Sequence, residues 1–217
     1  MGRADGPAAD RGAGPTPRAP DKDTLVRIAF PSSAGARGAL AAAVAALLAA
    51  VTVPPASAAT PPPTAGTYTV RVAHSGKCLG PRGDSAAEGA VIVQQPCDGR
   101  ASQKVTLITA RGDIPENSFF FRTSTGLCWN VKDNLHHVGV PIIQWPCSRA
   151  MNEVFTAYGD HHPWDGYILR THTTRPKYWN CLHIRDASTA DDATLIQHPC
   201  NLHGGGVRND TFHLTPA

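Results

Sequence analysis

The stretch that decides the fold is CWNVKDNLHHVGVPIIQWPC, residues 128–147. It begins and ends with a cysteine, and a run that starts with two isoleucines leads into its closing Pro-Cys pair. Residues 78–97 and 181–200 repeat this layout and end in IVQQPC and LIQHPC. The two cysteines are 19 positions apart in each stretch. This constant spacing predicts three copies of one unit of about fifty residues.

The spacing also predicts how the cysteines pair. Only pairing within each unit respects the repeat, although six cysteines allow many other connectivities. Each bridge would close a loop of about twenty residues and contribute on the order of 3 kcal/mol in the chain-entropy model. Zinc binding is the alternative, but zinc sites place two ligands within one short turn, and these pairs are farther apart. The expected bridges are Cys78–Cys97, Cys128–Cys147 and Cys181–Cys200.

Short strands surround each cysteine pair. An aromatic residue, two apolar or small residues and an arginine precede the first cysteine, and a polar-x-apolar pattern follows the second. Each unit offers about four such strands, which cannot bury a face alone, so the three units must share one core. A closed threefold barrel with a cap is the economical solution. The copies should start near residues 67, 118 and 166, with aromatic core positions at Tyr68, Phe119 and Tyr167.

Residues 1–58 are predicted to be an N-terminal extension that ends in a secretory signal peptide. Arg27 and Arg37 precede an apolar run from Ala39 to Val53, and residues 56–58 form a small-x-small cleavage pattern. The run is about fifteen residues, mostly alanine, whereas a membrane-spanning helix needs roughly twenty strongly apolar residues. Residues 59–66 are then a proline-rich lead-in and residues 67–217 the folded domain. Because the bridges need an oxidising compartment, we expect a secreted, extracellular protein.

The charge pattern does not favour a polyanionic partner. Residues 59–217 carry 14 Lys and Arg against 13 Asp and Glu, a formal net charge of +1. The two signs are interspersed along the sequence and form no basic stripe, which argues against nucleic acid or a membrane surface as the ligand. We expect a monomer that has no membrane span in its mature form.

Along residues 67–217 the chain resembles the ricin-B-type lectin family. The shared features are three repeats, a disulfide inside each repeat, a Pro-Cys strand end, and a Gln-x-Trp-like element that closes each unit. The resemblance implies an all-β fold, the β-trefoil, with up to three shallow sugar pockets. A working pocket of the family takes an Asp two positions after the first cysteine, a Gln four positions before the second, a stacking aromatic two positions before it, and an Asn beside the closing motif.

Carried over to this chain, the resemblance favours a carbohydrate site in the second repeat. Asn130 stands at the Asp position, Trp145 at the stacking position, and Asn152 and Glu153 at the closing motif. A planar ring would cover the apolar face of a sugar, while amide or carboxylate groups would bind its hydroxyls. Two alternatives stay open, since Trp145 could be a barrel residue and Glu153 could cap a turn.

The third repeat is the next candidate, and the first is expected to be inactive. The third repeat supplies four polar candidates for carbohydrate binding: His183, Asp186, His198 and Asn209. In the first repeat, Gly80 and Gln95 replace the Asp and the aromatic.

The glutamine of the family's pocket is displaced in this chain. Its position is apolar in every unit, and a glutamine follows one place later, at Gln94, Gln144 and Gln197. Because strand side chains alternate faces, these amides would point away from the pocket unless the register shifts by one residue.

The function expected from these patterns is weak, multivalent carbohydrate binding by a secreted module. The alternative is a trefoil protein-interaction factor, such as an inhibitor of a secreted hydrolase, which degenerate pockets would favour. A small glycosidase is a third hypothesis, because its two carboxylates are placed by the fold and not by sequence spacing. The sequence contains no Gly-x-Ser-x-Gly nucleophile elbow, and we do not expect an enzyme or a cofactor. We also expect no metal site, because adjacent histidines on a loop rarely bind the same ion.

Overall fold

Twelve strands and five short 3-10 turns make up the part of the chain that the computed structural model describes, which is residues 61–159, 166–173, 179–201 and 208–217. These residues belong to the unit Pro54–Ala217. The predicted signal peptide lies outside them. No helix in the described ranges is long and apolar enough to cross a membrane.

Each repeat contributes four strands. The first repeat contains β1 (Gly66–Val72), β2 (Cys78–Pro81), β3 (Ile92–Gln95) and β4 (Lys104–Thr109). The second contains β5 (Ser118–Thr123), β6 (Cys128–Val131), β7 (Ile142–Trp145) and β8 (Val154–Tyr158). The third contains β9 (Tyr167–Thr171), β10 (Asn180–Ile184), β11 (Leu195–Pro199) and β12 (Thr211–Pro216). The 3-10 turns are Arg82–Asp84, Ala101–Gln103, Lys132–Asn134, Met151–Glu153 and Arg185–Ala187.

The first and fourth strands of the repeats close a six-stranded antiparallel barrel. β1 pairs with β4 and β12, β5 pairs with β4 and β8, and β9 pairs with β8 and β12. The second and third strands form the hairpins β2–β3, β6–β7 and β10–β11, which make up the cap. The predicted threefold β-trefoil is confirmed.

The core follows from the alternation of side chains along the barrel strands. In β5, Phe119 and Phe121 are buried, whereas Arg122 is exposed. The Phe121 ring stacks on Trp129 of the cap at a centroid distance of 5.1 Å and meets Phe155 edge-on at 5.5 Å. The expected aromatic core positions of all three repeats are buried. Barrel and cap therefore share one apolar interior.

The three predicted disulfides are present and link Cys78 to Cys97, Cys128 to Cys147 and Cys181 to Cys200. Each bridge joins the first strand of a cap hairpin to the residues that follow the second strand, with Cα–Cα separations of 5.0, 5.1 and 4.8 Å. The bridges hold the ends of the cap hairpins next to the barrel strands.

The displaced glutamines join each repeat to its neighbour. Gln94, Gln144 and Gln197 are fully buried. The side-chain amide of Gln144 donates to the Ser85 and Ala87 carbonyls at 2.7 and 2.8 Å. Gln197 and Gln94 make the same pair of bonds to the loops of the second and third repeats. No register shift occurs, so these amides point away from the pocket positions.

Candidate functional site

The second repeat forms a cleft with a volume of about 530 Å³. Its lining includes three predicted site residues: Asn130 from β6, Trp145 from the end of β7, and Asn152 from the turn that follows the disulfide. Asn130 lies opposite Ile143 in the β6–β7 hairpin, while Asn152 is brought close by the turn Met151–Glu153. The fold thus gathers residues that are 22 positions apart in sequence.

The two asparagines are fixed by hydrogen bonds. The amide nitrogen of Asn152 donates to the side-chain oxygen of Asn130 at 2.8 Å and to the Val131 carbonyl at 3.2 Å. The amide nitrogen of Asn130 donates to Glu153 at 3.3 Å. These bonds leave Asn130 with one further N–H and one further lone pair, and Asn152 with its side-chain oxygen. The pair is therefore oriented before any ligand arrives.

Trp145 is a surface residue of the cleft, and the barrel alternative for it is excluded by its position. Its side chain is 45% exposed. The ring lies beside Gly89 of the first repeat, where an added Cβ would stand 3.7 Å from the ring atom Cζ3. A flat apolar ring therefore faces solvent next to the asparagine pair.

Glu153, the fourth predicted site residue of this repeat, is not among the residues that line the cleft. It is fully buried, and its carboxylate accepts hydrogen bonds from the Ser148 and Arg149 backbone N–H groups at 3.0 and 2.9 Å and from the Ser148 hydroxyl at 2.7 Å. With the bond from Asn130, its acceptor capacity is largely used. These contacts match the turn-capping alternative for Glu153.

Sequence reasoning missed the rim of the cleft. The turn Lys132–Asn134 and Ser148 also line it. Asp133 and Asn134 have φ angles of 53° and 52°, a left-handed conformation that Asn and Asp tolerate better than most residues. The Lys-Asp-Asn run predicts a turn, and the structure has one there, but nothing in the sequence says that it borders Trp145.

The third repeat brings two of its candidates together. The rings of His183 and His198 lie 4.9 Å apart, and His183 Nε2 is 4.0 Å from Asp210 Oδ2. Burial, and secondarily the charge of His198, lower the pKa of His183 to about 4. His183 is thus neutral at physiological pH, and one ring nitrogen is an acceptor.

The other two candidates of the third repeat take different places. Asn209 donates to the Ile184 carbonyl at 2.9 Å, which repeats the bond from Asn152 to Val131. Asp186 is exposed in the turn Arg185–Ala187, which corresponds to the rim turn of the second repeat.

In the first repeat, the position that corresponds to the cleft is filled by residues around Ser102. A Cβ added at Gly80 would stand 2.9 Å from the Ser102 carbonyl oxygen, so a larger residue does not fit there without a shift. Arg100 bridges Asp84 and Asp98, and the Ser102 hydroxyl also donates to Asp84. That hydrogen bond and the arginine lower the pKa of Asp84.

In the described ranges, no three His, Cys, Asp or Glu residues form a group that could hold a metal ion.

A family model described as ricin-type beta-trefoil lectin domain-like matches residues 59–145. No curated protein matches the chain significantly. The resemblance to this lectin family, predicted from the repeats, is confirmed by that match together with the fold.

Solved structures of several other proteins share the fold. The designed threefold symmetric protein ThreeFoil is 24% identical, with a TM-score of 0.60 over 70% of this chain and 99% of its own. The exo-beta-1,3-galactanase 1,3Gal43A from Clostridium thermocellum is 23% identical, with a TM-score of 0.58 over 71% of this chain. This chain spans about a third of that enzyme, 31% of its length. The ricin B-like lectin of Macrolepiota procera, in complex with lactose, is 11% identical, with a TM-score of 0.55 over 73% of this chain and all of its own.

Proposed function

We propose that this chain, a β-trefoil similar to the ricin-type lectin domains, is a secreted carbohydrate-binding protein whose main site is the second-repeat cleft. The observation that carries the proposal is the exposed Trp145 ring beside the hydrogen-bonded pair Asn130 and Asn152. In this proposal residues 1–58 are removed on export, residues 59–66 form a lead-in, and residues 67–217 act as a monomeric module without catalysis.

The chemistry of the cleft fits a sugar ring. One face of a pyranose is lined with C–H groups and would stack on Trp145. The free N–H of Asn130 and the free oxygen of Asn152 would bind a pair of hydroxyls, and Asp133 at the rim could accept from a third. Because Glu153 and Val131 already hold the asparagines, binding costs little side-chain entropy.

A β-galactoside is the first ligand to test. One similar structure contains lactose, and another belongs to a β-1,3-galactanase. A shallow cleft with one stacking ring binds weakly, so a repetitive polymer would gain from any second site in the third repeat.

The test is a binding screen of the oxidised protein against lactose, β-1,3-galactan and a panel of other glycans. Trp145→Ala should weaken binding by about ten-fold or more, since it removes the stacking surface. Trp179→Ala is the matched control, because Trp179 is also a surface tryptophan, 47% exposed, but lies outside the cleft. Equal losses in both variants, or no binding to any glycan, would contradict the proposal. Release of reducing sugar from galactan would contradict the absence of catalysis.

A protein-interaction factor is the second candidate function. It is favoured by the first repeat, where the Arg100 ion pairs and Ser102 take up the place of the pocket. A negative glycan screen, followed by capture of a secreted hydrolase whose activity the protein inhibits, would support this candidate.

A further inference from the structure

A second cleft, of about 560 Å³, lies between the β4–β5 hairpin and the Cys128–Cys147 bridge. Three arginines line it: Arg111 after β4, Arg122 in β5, and Arg149 after the bridge. All three are exposed, and no carboxylate is among the lining residues. No ion pair found among the described residues includes any of the three. The cleft therefore concentrates positive charge that no ion pair among the described residues neutralises.

The floor of the same cleft is apolar. Ile108 and Phe120 lie directly opposite each other in the β4–β5 pair, and both line the cleft. They face outward because their neighbours Leu107, Phe119 and Phe121 are buried in the barrel. Ile108 is 38% exposed. A ligand in this cleft would meet an apolar surface below and guanidinium groups at the edge.

Arg149 is held in a backbone conformation that an arginine rarely adopts. Its φ angle is +62°, and the residue at the same place in the first repeat is Gly99, with φ +78°. A non-glycine residue in this region costs of order 1 kcal/mol or more. The backbone N–H of Arg149 donates to the buried Glu153 at 2.9 Å, which holds it in place. This bond anchors the backbone from which the Arg149 side chain reaches the cleft.

Arg122 differs from its counterpart in the first repeat. Arg71 and Arg122 both pair with the first cysteine of their repeat. The Arg71 Nε atom donates to the Gly76 carbonyl at 2.7 Å. Among the described contacts, no hydrogen bond to the corresponding Gly126 or to any other acceptor is found for the Arg122 side chain. The Arg122 guanidinium is thus available to a ligand, whereas that of Arg71 is engaged.

We infer that the cleft lined by Arg111, Arg122 and Arg149 binds the carboxylate or sulfate groups of an acidic polysaccharide. Guanidinium groups bind such planar or tetrahedral anions through paired charge-assisted hydrogen bonds, and Phe120 offers a surface to the sugar ring. The three arginines form one short cluster, not the extended basic stripe that a nucleic-acid backbone requires. That the anion is carried by a polysaccharide rests on the proposed function.

The experiment is affinity electrophoresis of the oxidised full-length protein through gels that contain dextran sulfate, polygalacturonate or neutral dextran. We expect retardation by at least one anionic polymer and none by dextran, and the two anionic gels distinguish sulfate from carboxylate. Arg149→Gly and Arg122→Gln should each weaken the apparent affinity by about ten-fold. Arg71→Gln is the matched control and should retain it. The Tm of Arg149→Gly should stay equal or rise, because glycine relieves the positive φ.

Three results would overturn the assignment. They are the absence of retardation by both anionic polymers, equal retardation of Arg149→Gly, Arg122→Gln and the unmodified protein, and binding of duplex DNA as tight as that of the polysaccharides. Trp145→Ala separates this site from the proposed lectin site. It should lose neutral galactosides and keep the anionic polymers, and loss of the anionic polymers in Trp145→Ala would also overturn the assignment.

Discussion

Gln94 is expected to be a large single polar contributor to the stability of the trefoil, and Gln94→Met tests this. The side chain is fully buried in β3. Its amide nitrogen donates to the Ser188 and Ala190 carbonyls, both at 2.8 Å, and its oxygen accepts from the Ser75 hydroxyl at 2.8 Å. Methionine has a similar size and shape, so the substitution removes the three hydrogen bonds without opening a large cavity.

The magnitude follows from those three bonds. Each contributes about 1 kcal/mol net, and a carbonyl left without a partner costs about 1–3 kcal/mol where water does not reach it. The loop that carries Ser188 and Ala190 is half-buried or exposed, so water replaces part of what is lost. We therefore expect Gln94→Met to lower the free energy of unfolding by about 3–4 kcal/mol. For a domain of this size this corresponds to a decrease in Tm of roughly 6–16 °C.

Urea denaturation of the oxidised protein measures the effect as a shift of the midpoint at unchanged m-value. Gln95→Met is the matched control, because Gln95 makes one surface bond to Asp192 and should cost less than about 1 kcal/mol. Gln144→Met should lie between the two, since the Gln144 oxygen has no hydrogen-bond partner among the described residues. A Gln94→Met loss no larger than that of Gln95→Met would refute the idea that buried glutamines hold the repeats together.

Three further predictions concern the turns, the bridges and pH. Ala187 has a φ angle of +50°, so Ala187→Gly should raise the free energy of unfolding by about 0.5–1 kcal/mol, and a lower urea midpoint would contradict this. Replacing both cysteines of the Cys128–Cys147 bridge by serine should lower it by about 3 kcal/mol in the same titration, and an unchanged midpoint would be inconsistent with loop closure as the cause. Burial, followed by the charge of His198, lowers the pKa of His183 to about 4, whereas the unfolded chain takes up this proton near pH 6.5. The free energy of unfolding should therefore fall as the pH drops from 6.5 to 4. His183→Gln should make this fall smaller, and the remainder should come from His172, whose pKa is also lowered to about 4 by burial. If the pH dependence of the free energy of unfolding is the same in His183→Gln, His183 is not its source.

Much of the fold could be predicted because its determinants are local and repeated. The 19-position spacing of the cysteines, the Pro-Cys strand ends and the aromatic strand starts recur three times, so each repeat supports the interpretation of the others. The barrel, the three disulfides and the buried Tyr68, Phe119 and Tyr167 follow from this pattern. The candidate cleft was partly predictable, since Asn130, Trp145 and Asn152 keep fixed offsets from the cysteines.

Contacts between repeats were not predictable in this way. The displaced glutamines were expected to point away from the pockets, but their partners lie in other repeats, more than fifty positions away. Glu153 has the same offset as a residue of the closing motif, yet only its burial beside Ser148 and Arg149 shows that it supports Asn130 instead of facing the cleft.

By itself, the sequence determined the number of repeats, the disulfide pairs and the order of the strands, because all of these depend on spacing within one unit. The tertiary structure alone decided which surfaces of different elements meet. Along the chain the charges alternate and no basic stripe exists, but the turn of β4 into β5 and the Cys128–Cys147 bridge bring Arg111, Arg122 and Arg149 to one cleft. These three arginines meet because of how the strands pair around a closed barrel. The order of charges along the sequence does not predict that pairing.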